Sequence, residues 1–165
     1  MNKWLVLAVL VLFVLPAAQA EGPAHRIGAG VNYWMALDDL DEDFDENGLS
    51  YLASCQYWPT LIGLEADVEF LPDLFGKDAI APAAYLLVGG TLYAAAGAGI
   101  VNYDGEWADD PFFAFKAGLN LEILPSAYLD VSGSYRFNGE IDLGDAVEAI
   151  DTDTVFLGAA LRLGF

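Results

Sequence analysis

The chain has 165 residues, with 25 acidic against 6 basic side chains, a formal charge of −19 and 56% hydrophobic residues. That charge excludes a nucleic-acid binder, which needs a basic face against phosphate, and a single cysteine and a single histidine exclude an internal disulfide or a Cys/His zinc site. High apolar content rarely accompanies such acidity in a soluble domain, so the apolar side chains need a destination other than an ordinary core.

The chain opens with Lys3, an unbroken apolar run from Trp4 to Leu15, and Pro16 ahead of a small-x-small pattern at Ala18, Gln19 and Ala20. This predicts a secretory signal peptide over residues 1–20, cleaved after Ala20, with one β-barrel domain over residues 21–165. The apolar run falls short of the roughly 20 residues that a membrane-spanning helix needs.

Beyond it the pattern has a period of two. Ile27, Ala29, Val31, Tyr33 and Met35 alternate with Arg26, Gly28, Gly30 and Asn32, which predicts a strand with one apolar face. A weaker alternation covers residues 49–58. Over residues 60–70, Ile62, Leu64, Ala66, Val68 and Phe70 face away from Glu65, Asp67 and Glu69. Residues 83–90 are apolar on both faces, and residues 92–103 are mostly Ala and Gly, so their register is open. Residues 112–123 set Phe113, Phe115, Leu119 and Leu121 against Lys116, Asn120 and Glu122. Residues 126–138 set Leu129, Val131 and Tyr135 against Asp130 and Arg136, and the last segment sets Leu157, Leu161, Leu163 and Phe165 against Arg162. Eight strands result. Pro59, Pro72, Pro82, Pro111 and Pro125 fall at or between their expected ends.

Short connections near Pro59, Gly90 and Pro125 alternate with longer acidic ones over residues 36–47, 71–81, 104–111 and 139–153, so all long loops leave from one end. Those four segments hold 19 of the 25 acids. The polar strand faces carry Glu65, Asp67, Glu69, Glu122 and Asp130 beside Arg26, Lys116, Arg136 and Arg162, which is near balance. Buried charges persist only when paired, so these nine residues are expected to form a salt-bridge network inside a closed lumen, with the apolar faces turned to lipid. A soluble carrier with its apolar faces inward would leave too few charges outside. Aromatics near the long-loop ends (Tyr33, Trp34, Tyr51, Phe70, Tyr103, Phe113, Tyr135, Phe137) and near the short-turn ends (Tyr57, Trp58, Tyr93, Tyr128) predict two interfacial girdles. Trp34 and Trp58 have lumen parity and are alternatively plugs of the barrel mouths.

The cleavable leader, the eight alternating segments, the turn pattern and the ending Gly158 to Phe165 together resemble the small outer-membrane β-barrels of the OmpA-like class. The resemblance implies an all-β, eight-stranded antiparallel up-and-down barrel, monomeric, in a bacterial outer membrane, with short turns in the periplasm and acidic loops outside. It also implies contact with outer-membrane lipid and with the barrel-assembly machinery, to which Leu161, Leu163 and Phe165 would present the assembly signal.

Catalysis has little support. Lipid-modifying barrels of this kind that hydrolyse acyl esters use Ser, His and an acid on the lipid face, whereas the one imidazole, His25, sits at a strand start and no Ser has lipid-face parity. Cys55 has nothing basic placed to activate it and reads as an apolar filler. Asp43, Asp45, Asn47 and Gly48 match the opening of a calcium loop, but Ser54 stands where the bidentate acid belongs. Loose Ca2+ or Mg2+ screening of the acidic loops is therefore expected, with no other cofactor. The expected role is structural or surface-interacting, non-enzymatic, with a narrow porin-like channel as the alternative because Gly28, Gly30, Gly97, Gly99 and Gly118 have lumen parity.

Overall fold

The computed structural model describes residues 22–37, 47–74, 77–103, 105–137, 140–141, 150–151 and 153–165. The expected signal segment and Asp43 and Asp45 lie outside them. The described residues build β1 (His25–Ala36), β2 (Asn47–Tyr57), β3 (Ile62–Leu74), β4 (Lys77–Gly89), β5 (Leu92–Gly99), β6 (Asn102–Tyr103), β7 (Glu106–Trp107), β8 (Phe112–Leu124), β9 (Ala127–Phe137), β10 (Glu140–Ile141), β11 (Ile150–Asp151) and β12 (Thr154–Gly164). The eight long strands pair antiparallel in the cyclic order β1, β2, β3, β4, β5, β8, β9, β12, and β12 returns to β1 with Arg26 opposite Gly164 and Ala36 opposite Thr154. Closure pairs both edges of each of the eight long strands, the condition for crossing a bilayer with strands.

Alternation decides what faces where. On β3, Glu65, Asp67 and Glu69 are buried while Ile62, Leu64, Val68 and Phe70 are exposed. On β12, Phe156, Ala160 and Arg162 are buried and Leu157, Leu161 and Leu163 are exposed. The outside of the barrel is thus a belt of large apolar side chains and the inside is polar and aromatic. That inversion of the soluble rule gives the apolar residues acyl chains as their surroundings.

The structure corrects three expectations. Residues 71–74 and 77–81 are not loop but extend β3 and β4, with Leu71 opposite Ala79 and Leu74 opposite Lys77 after a register shift. Pro82 consequently lies inside β4, opposite Val68. It is tolerated because the ladder on its other side is broken there, pairing Ala83 with Gly99 and resuming only at Ile80 with Asn102. The girdle reading fails for Tyr93, Tyr103 and Tyr128, which point inward and are buried, as are Trp34 and Trp58. Outward rings gather instead at the long-loop end, where Phe137 packs against Phe113, Phe115 and Tyr135 at centroid distances of 5.7 to 6.0 Å.

Candidate functional site

Alternate residues of β3 place three carboxylates in a column down the inner wall, and cations from β8, β9 and β12 reach them across the lumen. Lys116 Nζ lies 2.6 Å from Glu65 Oε1 and 3.3 Å from Asp67 Oδ2. Arg162 joins Glu65 Oε2 at 3.1 Å to Asp130 Oδ2 at 2.9 Å, and its Nε donates to Ser54 Oγ at 3.3 Å. Arg136 pairs with Glu69, which also accepts from Ser50 and Asn32. Gln56 donates to Glu65, and Tyr93 Oη donates to Asp130 Oδ1 at 3.1 Å. Rings cover the remaining faces of the cations. Lys116 sits 4.1 Å from the Tyr85 ring centre, and Arg136 sits 4.0 Å from Phe156 and 4.7 Å from Phe112. Multiple partners per ion are what make buried charge tolerable.

Seven of the nine residues expected in this network are brought together. Arg26 and Glu122 are not, because they lie at the short-turn end, beyond the last layer of the lumen. Arg26 stacks on Tyr128 at 4.0 Å and on Trp58 at 5.3 Å, and Glu122 is exposed and accepts from Ser126 N at 3.0 Å. Parity alone could not separate strand middle from strand end. The sequence pattern leaves Tyr85 unassigned and puts Tyr93 at the short-turn interface, since each has beside it an Ala that suits either face, whereas Phe112 and Phe156 share the parity of Lys116 and Arg162 and take the inward face which that parity implies.

The lumen is filled. Between Asp67, Glu69, Tyr85, Lys116, Arg136 and Phe156 there remains about 10 Å³, no more than one water occupies. Asp67 Oδ1 and Tyr85 Oη, which border this gap, have no partner among the described residues. The glycines expected to leave space are occupied by neighbouring side chains. A Cβ on Gly97 would meet the Tyr85 ring at 2.4 Å, one on Gly118 would meet Tyr93 at 2.9 Å, and one on Gly28 would meet Arg162 Cγ at 2.4 Å.

Of the other expected site residues, Asn47 opens β2 and is exposed, and no group of three metal-ligating side chains forms among the described residues. His25 packs on the outer surface between Tyr57 at 4.9 Å and Phe165 at 5.9 Å. Leu161, Leu163 and Phe165 all point outward.

No protein-family model and no curated protein matches the sequence. Solved structures do. Neisserial surface protein A superposes with a TM-score of 0.63 at 14% identity, over 86% of this chain and 97% of that one. The outer membrane protein OprG of Pseudomonas aeruginosa superposes at 0.54 and 13% identity, over 88% and 99%. The N-terminal β-barrel domain of Pseudomonas aeruginosa OprF gives 0.50 and 13%, over 87% and 100%. With its apolar belt, closed sheet and charged interior, the chain has the fold of the small eight-stranded bacterial outer-membrane β-barrels.

Proposed function

We propose that the protein is a non-catalytic outer-membrane barrel: a closed, bilayer-embedded support that presents an acidic loop end to the cell exterior for structural or surface interactions. The observation that carries this reading is the filled lumen, in which three cations and four carboxylates interlock across strands β3, β8, β9 and β12. A transport pathway would need an open column of water, and about 10 Å³ remains in this layer. A catalytic reading would need an acid, base or nucleophile free to reach substrate, and these carboxylates are held by cations. The barrel works as a monomer in contact with outer-membrane lipid, and Leu161, Leu163 and Phe165, displayed on the outer face, serve the assembly machinery during insertion.

Planar-bilayer recording of the refolded protein tests the closed lumen. No steps above membrane leak are expected. Regular single-channel steps that persist across preparations would overturn the proposal in favour of a narrow pore.

A further inference from the structure

The seam where β12 returns to β1 joins residues far apart in the chain, Arg26 lying opposite Gly164. β1 brings little to the lumen that could hold it there. Between Arg26 and Asn32 its inner face carries only Gly28 and Gly30, so over that stretch it is held by its backbone ladders to β2 and β12. Strand ends held by ladders alone open readily.

Residues 22–24, ahead of β1, reinforce this end. They cross the short-turn rim as a strap with a bond on either side of the seam strand. Ala24 O accepts from Trp58 N at 2.7 Å at the end of β2, and the next carbonyl, His25 O, accepts from Phe165 N at 2.9 Å at the end of β12. Pro23 fills the space left by the missing side chain of Gly164, where an added Cβ would meet its ring at 2.2 Å, with the Tyr128 ring of β9 at 3.4 Å behind it. Pro suits this place, since its fixed φ lowers the entropy lost in ordering the strap. From inside, the Arg26 guanidinium stacks on Tyr128 at 4.0 Å and reaches Pro23 O with Nε at 3.4 Å. From outside, the His25 ring lies between those of Tyr57 and Phe165.

The neighbouring turn is committed to the same junction. Gly164 N donates to Ser126 O at 2.7 Å, while Ser126 N donates to Glu122 Oε1 at 3.0 Å. Among the described residues Ser126 is the only non-glycine with a positive φ, at 62°. That conformation is costly for a residue with a side chain and persists where its surroundings impose it. Here both sides of Ser126 are engaged, and one of its two partners is the end of β12.

We propose that residues 22–25, together with Ser126, Gly164 and Phe165, form a clasp that locks the β1–β12 seam at the short-turn rim, and that releasing the strap lets the two strands part from that end. The clasp belongs to the barrel wall and is independent of what the lumen or the loops contact.

Amide hydrogen exchange of the refolded barrel in lipid nanodiscs tests this. The seam is read at residues 26–29 and 161–163, and the β4–β5 ladder on another part of the wall, residues 83–88 and 94–99, serves as reference. Gly164→Ala, whose methyl group displaces Pro23, should speed exchange at the seam about tenfold or more, the scale of one or two lost backbone hydrogen bonds, and leave the reference ladder within about twofold. Pro23→Gly, which loosens the strap without changing a strand residue, should act in the same direction, and it decides alone if Gly164→Ala does not fold. Unchanged seam exchange in a folded variant overturns the proposal. So does an equal rise in both ladders, which would make the strap a contributor to global stability and not a lock on the seam.

Discussion

At the scale of single residues, the lumen shows how buried charge is made affordable by sharing. Glu65 is held by Lys116, Arg162 and Gln56 together, whereas Asp130 has one cation, Arg162, and one hydroxyl, that of Tyr93. Removing Arg162 therefore harms the two carboxylates unequally. Glu65 keeps Lys116, and Asp130 is left with a neutral donor. Arg162→Met is expected to cost about 3 to 5 kcal/mol, the usual cost of stranding a buried charge, measured by urea unfolding of the barrel in lipid. Adding Asp130→Asn should recover part of it, because the stranded charge is gone. Lys77, exposed at the tip of the β3–β4 hairpin, should tolerate Met within roughly 0.5 kcal/mol. Similar losses at Arg162 and Lys77 would refute the buried network.

At the scale of elements, what could be read from the sequence was the strands whose two faces differ chemically. β3, β8, β9 and β12 alternate charge with bulk, so a shift of one residue would place Glu65 or Arg162 in lipid, and their register is fixed by that cost. β4 and β5 resisted because Ala and Gly suit either face. Their register is set by what they pack against: Tyr85 lies against Gly97, and Tyr93 against Gly118 on β8. The extension of β3 and β4 past Pro72 and Pro82 was also hidden, since a proline ordinarily marks a strand end and only the broken β4 ladder excuses it. Of the site, the acids and cations were legible by parity, and so was the inward face of Phe156 over Arg136, while Tyr85 over Lys116 was not, because its strand is apolar on both faces. The β5 register has a direct consequence. A side chain at Gly97 would meet both the backbone oxygen of Ala84 at 2.3 Å and the Tyr85 ring, whereas Ala98 faces outward. Gly97→Leu should abolish the folded, heat-modifiable gel band, and Ala98→Leu should retain it. The opposite pattern would reverse the face assigned to β5.

At the scale of the whole molecule, the charge divides into a nearly neutral interior and a strongly acidic end. Within the lumen four carboxylates meet three cations, so nearly all of the formal charge of −19 resides elsewhere, chiefly in the longer connections between strands. Carboxylates crowded within a Debye length, about 8 Å at physiological ionic strength, repel one another, and oxygen-rich loops attract hard divalent cations. Under simple screening, Ca2+ and Mg2+ should act alike and only near millimolar concentration, and Asp43→Ala should change little. A built site at Asp43, Asp45 and Asn47 would respond to micromolar Ca2+, discriminate against Mg2+ and fail in Asp43→Ala. Trp107 is a suitable reporter, since it is 59% exposed and lies between Glu106 and the pair Asp109 and Asp110. We expect its fluorescence to respond equally to the two ions in the millimolar range. A micromolar, calcium-selective response would replace screening with a specific site, and no response to either ion would remove divalent binding from the role of the loops.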